Sequence, residues 1–207
     1  MENSRWCIDC HRKVQVVKPP FCPVCGQPAA SGMVCQRCAV SPPRFAQLRS
    51  WAVFGGVLRS AILRLKYRHD VALGDVFSRF LVRCFMRQGW NVDCVIPVPL
   101  GLDRIAERGY NQASLLARPF AYELGLDYLP RAVKRVRETR SQVGLSIQER
   151  HDNVSDAFLA RQSVVSGRRI LLIDDVTTTG STLNSCAGAL LNAGAIQVFG
   201  LTLARAA

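Results

Sequence analysis

The chain has 207 residues, enough to bury one substantial core without disulfide staples. Apolar residues make up 49% of it, but no apolar run approaches the ~20 residues of a membrane-spanning helix. The N-terminus MENSRWCIDC lacks the apolar stretch of a secretory leader, so the expected location is cytoplasmic. The formal charge is +12, from 27 Lys and Arg against 15 Asp and Glu, which attracts polyanions. Nucleic acid and phosphorylated small molecules both qualify, and solubility alone is the plainer reading.

Six of the nine cysteines form three C-x-x-C pairs in the first 38 residues: Cys7/Cys10, Cys22/Cys25 and Cys35/Cys38. In a reducing compartment such pairs point to metal rather than to disulfides. Structural Zn²⁺ takes four thiolates in a tetrahedron, and each C-x-x-C offers two from one tight knuckle. Gly26 lets the Cys22–Cys25 knuckle turn, and Cys35 follows Cys25 after nine residues, so Cys22, Cys25, Cys35 and Cys38 are the predicted zinc ligands. Cys7/Cys10 leaves six thiolates, too many for one site and too few for two. Assistance from His11 and a remnant pair both stay open. Redox catalysis and an Fe–S cluster are further uses of C-x-x-C, although redox pairs usually sit in a βαβ context. Cys84, Cys94 and Cys186 lie in apolar stretches and read as small core residues. Little periodicity appears before Phe45, so a small zinc-ribbon-like domain is expected over residues 1–44 and a second domain over 45–207.

From Phe45 onward apolar and polar segments alternate as in an α/β domain. The pattern predicts a strand over 50–54 and a helix over 55–67, with Leu58, Ile62 and Leu65 on one face. A second helix is expected over 75–87, a buried strand over 93–98 and a helix over 111–124 stopped by Gly125. Residues 131–150 are basic and carry no clear period. A strand over 169–173, a helix over 181–192 and a strand over 197–203 complete a βαβ unit, which implies a parallel sheet.

Residues 170–182 read ILLIDDVTTTGST. The strand ends in Asp174 and Asp175, which places two carboxylates at the C-terminal edge of a parallel sheet, where ligands of open α/β folds collect. Hydroxyls from Thr177 to Thr182, Gly180 and the free amides of a helix start form an anion site. Carboxylates suit ribose hydroxyls, and a hydroxyl-and-amide loop suits a phosphomonoester. Helix capping explains one hydroxyl, not five beside paired acids. The segment has neither G-x-G-x-x-G nor the Lys of a P-loop.

That segment resembles the phosphoribosyl diphosphate signature of type I phosphoribosyltransferases: four apolar residues, two acids, then T-x-G-x-T. The resemblance implies that Asp174 and Asp175 hold the ribose hydroxyls and that Thr178, Thr179, Gly180, Ser181 and Thr182 hold the 5′-phosphate. In 6-oxopurine salvage enzymes the position of Thr178 is usually Asp, which speaks against that activity. PVPL at 97–100, RGYNQ at 108–112, Thr139 with Gln142 and Leu145, and Arg150 with Asn153 and Phe158 resemble the ComF family of competence-associated proteins. The likeness runs from about Cys22 to Leu203. It implies a type I phosphoribosyltransferase-like parallel sheet flanked by helices behind the zinc domain, with a pyrophosphate loop at 99–108 and a mobile basic segment at 134–150. Arg104, Arg108 and Lys134 are the first candidates for the pyrophosphate, with Arg135, Arg137 and Arg140 beside them, because Arg binds phosphate oxygens bidentately. Mg²⁺ would accompany the ligand.

Two functions follow. The ComF resemblance implies single-stranded DNA handling in natural transformation, alongside other DNA-uptake proteins, with Trp6, Phe21, Phe45 and Trp51 available either for base stacking or for packing. The alternative is a catalytic phosphoribosyltransferase with an unidentified acceptor.

Overall fold

The computed structural model describes residues 6–136 and 157–206. Five strands form one parallel sheet in the order β1-β7-β6-β2-β3: β1 Gln47–Val53, β2 Cys94–Pro97, β3 Asp127–Tyr128, β6 Arg169–Thr177 and β7 Gln197–Arg205. A separate antiparallel pair, β4 Val133–Arg135 with β5 Phe158–Ala160, lies beside it. The predicted α/β architecture is thus present. The long strands exceed their predicted spans, β6 by running on to Thr177 and β7 to Arg205. Pairing explains the excess: β6 lies between β2 and β7, and Asp174, Val176 and Thr177 register with Thr202, Ala204 and Arg205. A ladder extends a strand through polar residues that show no apolar run.

Alternation along β6 divides the core. Leu171 and Ile173 join one apolar cluster, while Ile170 and Leu172 join the other, as period-2 side chains require. Helices α3 (Gly56–Tyr67), α4 (Leu73–Met86) and α6 (Gln112–Leu124) cover the first face through Ile62, Phe77 and Leu116, all fully buried. On the second face lie α8 (Ser181–Asn192), the short α7 (Gln162–Val165), the β4–β5 pair and three of the paired cysteines. Cys94 and Cys186 are buried core residues, and Cys84 packs at the edge of the core, matching their predicted roles.

The cysteine-rich segment, with short helices α1 (Ile8–Arg12) and α2 (Gln36–Val40), packs directly on the sheet. Val17 N donates to Trp51 O at 3.0 Å and Val53 N to Gln15 O at 2.8 Å, so this segment pairs antiparallel with edge strand β1. An uncovered edge would present open backbone groups, and the segment closes it. Trp6 meets Phe77 edge-on at 5.3 Å, and Trp51 stacks on Phe80 at 4.4 Å.

Candidate functional site

β6 and α8 meet at the C-terminal edge of the sheet. Within the last residues of β6, Asp174 Oδ1 accepts from Asp175 N, and Asp175 Oδ1 from Val176 N, each at 2.8 Å. Gly180 then sits at φ +83, capping α8; a Cβ there would meet Leu48 Cδ2 at 3.5 Å and Phe45 Cε1 at 3.7 Å. The left-handed backbone is what requires Gly at this position. Thr178, Thr179 and Thr182 are exposed, and the Thr179 and Ser181 hydroxyls hydrogen-bond each other. Around this loop lies a cavity of about 280 Å³, lined by Asp174 and residues 176–183. Hydroxyls and the first amides of a twelve-residue helix surround it, chemistry suited to a phosphate.

A second cavity, of about 370 Å³, adjoins the first and shares Asp174, Val176 and Thr182 with it. Its walls come from Val98–Leu100, from α5 (Leu102–Arg108), from α3 through Lys66 and Tyr67, and from Arg135. Where the resemblance implied a pyrophosphate loop over 99–108, only the first part is loop. The rest is helix α5, ended by Gly109 in the left-handed conformation. Asn111 ties the two together: its Nδ2 donates to Val98 O at 2.9 Å while its Oδ1 caps α6 through Ala113 N at 3.0 Å.

Cations gather around the acids. Lys66 Nζ lies 2.7 Å from Asp175 Oδ2. Arg108, only 7% exposed, stacks over the Tyr67 ring at 4.7 Å and donates to Tyr67 OH and Gln112 Oε1, both at 3.1 Å. Its Nε has no hydrogen-bond partner among the described residues. Burial, then the neighbouring Asp175 charge, pushes the Asp174 carboxyl well above the usual range. Lys66 acts the other way and favours the charged carboxylate.

The four thiols of Cys22, Cys25, Cys35 and Cys38 lie within 4.8 Å of one another, with Cys25 Sγ and Cys35 Sγ 3.7 Å apart. Tetrahedral zinc with Zn–S near 2.3 Å needs sulfurs about 3.8 Å apart, so the donor set and its size fit the ion. Two buried arginines back this cluster. Arg205 Nη1 donates to Cys25 O at 3.0 Å, and Arg49 Nη2 to Pro23 O at 2.9 Å. Gly26 at φ +68 would place a Cβ 2.5 Å from Leu48 O, so no larger residue fits this turn.

Residues 1–39 match the double zinc ribbon domain model, and residues 79–205 match the phosphoribosyl transferase domain model. The DNA utilization protein YhgH of Salmonella typhimurium is 34% identical over 94% of this chain and 88% of its own length. Competence protein F of Haemophilus influenzae is 34% identical over 96% of both chains. This chain belongs to the ComF family. Among solved structures, the glutamine phosphoribosylpyrophosphate amidotransferase of B. subtilis aligns with a TM-score of 0.44 at 20% identity, over 62% of this chain and 25% of that one.

Within this ComF-family fold the predicted residues separate. Asp174, Thr178, Thr179, Gly180, Ser181 and Thr182 line the first cavity. Asp175, Arg104 and Arg108 line the second. Lys134 lines neither: it is exposed on β4, while its neighbour Arg135 reaches the cavity and stacks over Phe158 at 5.7 Å. Arg137, Thr139, Arg140, Gln142, Leu145, Arg150 and Asn153 lie outside the described residues. Lys66, Tyr67 and Glu107 are cavity residues that the motifs did not single out. Lys66 lies with Arg64 in the basic last turn of α3, and nothing local in the sequence ties it to the acids. The aromatics near the cysteines pack rather than present faces for bases: Trp6, Phe45 and Trp51 are buried, and Phe21 lies under Arg49 at 4.9 Å. His11 stacks on Phe80 at 4.9 Å, and the four-cysteine cluster is the one ligating group of three or more among the described residues. Also among them, no helix is long and apolar enough to cross a membrane.

Proposed function

We propose that the protein binds phosphoribosyl diphosphate at the C-terminal edge of its sheet and handles single-stranded DNA in competence-type DNA uptake. One observation carries the ligand reading: Asp174 belongs to both cavities, so a hydroxyl-lined phosphate pocket and a cationic pocket open onto one carboxylate. A linear ligand with a phosphate at one end, a diphosphate at the other and a ribose between them has that layout. Thr178, Thr179, Gly180, Ser181 and Thr182 take the 5′-phosphate, Asp174 and Asp175 accept from the ribose hydroxyls, and Arg104 and Arg108 face the diphosphate, with Mg²⁺ on its oxygens. Lys134 serves DNA or the diphosphate from outside the cavity.

The zinc assignment belongs to the same reading: Cys22, Cys25, Cys35 and Cys38 hold one zinc, and the boundary between the ribbon, residues 1–44, and the second domain, 45–207, lies at its exit. The names of the relatives support the DNA role, and the +12 charge supplies its electrostatics. Calorimetric titration with phosphoribosyl diphosphate tests the ligand. Replacing Asp174 and Asp175 together with Ala should weaken binding by ~10-fold or more, the worth of charge-assisted hydrogen bonds to the ribose. Equal affinity in the double variant removes the assignment. An enzyme would use the same cavity, and pyrophosphate release measured beside binding separates transfer from binding alone.

A further inference from the structure

We propose that Lys66 is the resident cation of the acid pair, placed so that the sugar diphosphate binds with little dependence on Mg²⁺. This rests on the ligand reading above. Lys66 lies in the last turn of α3, whose Leu58, Ile62 and Leu65 are fully buried, so the base of its side chain has a fixed place. Its ammonium reaches Asp175 Oδ2 at 2.7 Å, with the Lys66 side chain 20% exposed and that of Asp175 4% exposed. Buried ion pairs add little to stability beyond what apolar replacements would give, because desolvation offsets the attraction. A pair that lines a cavity is therefore better explained by what the cavity holds.

The other groups facing that cavity define the ligand's charge. Arg104, Arg108 and Arg135 supply cations, against Glu107, Asp174 and Asp175. Arg108 is buried with its Nε unpartnered among the described residues, an open donor that a diphosphate oxygen would satisfy. An ammonium has three donors. Lys66 meets Asp175 as an ion pair, 2.7 Å from an Oδ2 that has no hydrogen-bond partner among the described residues, so its donors are available for a ribose hydroxyl and for a diphosphate oxygen. A divalent cation approaching Asp175 would meet a positive charge already in place, so Mg²⁺ is left to the solvent side of the diphosphate.

The test is calorimetric titration of the full chain with phosphoribosyl diphosphate, in Mg²⁺ and in EDTA, for the natural protein, Lys66→Gln and Lys66→Arg. The natural protein should change affinity by less than ~10-fold between the two conditions, since one charge-assisted hydrogen bond is worth that much and Lys66 provides it. Lys66→Gln should bind ~10- to 100-fold more weakly in EDTA and recover part of this in Mg²⁺, whereas Lys66→Arg should stay insensitive to the metal. Binding by the natural protein in Mg²⁺ that vanishes in EDTA overturns the inference and leaves the ligand reading standing. Lys66→Gln with the same small metal dependence as the natural protein overturns it too. No binding by the natural protein under either condition overturns the ligand reading itself. The comparison on the natural protein decides the matter even if a variant folds poorly.

Discussion

Asp174 shows at the scale of one residue how a carboxylate lining a cavity costs stability. Its carboxyl is half-buried beside that of Asp175, and burial, then the Asp175 charge, raises its proton affinity. A carboxyl whose pKa is raised by folding favours the folded state at low pH, and that contribution is lost as pH climbs from the ordinary carboxylate range through the raised value. Asp174→Asn removes the titration and keeps an oxygen for Asp175 N, which Asp174 Oδ1 now receives at 2.8 Å. Thermal melting should therefore show the variant more stable than the natural protein near pH 8, with the gap closing toward about pH 4. A variant less stable at both pH values would mean that the charge contributes to the fold. Phosphoribosyl diphosphate affinity should fall in the same variant, the usual exchange between stability and function.

The β4–β5 pair gives two neighbouring basic residues different surroundings at the scale of an element. Val133 is buried, Lys134 exposed and Arg135 directed at the second cavity, the alternation that a strand imposes. From sequence, Lys134 and Arg135 form one basic cluster for which both ligands compete. In the fold they are assigned different surroundings. Arg135→Ala should weaken phosphoribosyl diphosphate in calorimetry by more than Lys134→Ala does, because only Arg135 lines the cavity. If Lys134 contacts a DNA phosphate, its removal should flatten the dependence of log affinity for single strands on log salt by about 0.7, as read by fluorescence anisotropy. An unchanged slope would remove Lys134 from the DNA surface. The cluster's remaining candidates, Arg137 and Arg140, are outside the described residues.

For the whole molecule, the cysteine cluster and the loop at Gly180 are linked through β1. Leu48 N donates to Val24 O at 2.8 Å within the cysteine knuckle, and the Leu48 side chain packs against Gly180. Arg205 donates to Cys25 O and registers with Thr177 at the start of the loop. Burial lowers the pKa of Arg49 and Arg205, and the nearby thiols act against it by favouring the charged form. With zinc, the four thiolates carry a net negative charge that balances these two arginines. Chelation, or Cys35→Ala, should thus lower the melting temperature and also weaken phosphoribosyl diphosphate binding, because the loop's support moves with the knuckle. Metal analysis should show one zinc lost in step with both. A protein that keeps full ligand affinity after zinc removal would show the two sites to be independent.

By itself the sequence determined what is local. Paired acids, hydroxyls and Gly180 fall within 13 residues, so this loop stands out in the sequence as a feature, as do the C-x-x-C knuckles and the helix over 55–67. Strand lengths were less legible, because the ends of β6 and β7 are polar and are held by neighbours rather than by an apolar period. The tertiary structure alone decided which distant residues meet: Lys66 at Asp175, Arg205 at Cys25, and Leu48 between the knuckle and Gly180. A single charge on a helix surface carries no sequence mark of its partner, since its attraction acts over a few ångströms of space and not along the chain. The parallel sheet, which joins strands far apart in sequence, creates those distances.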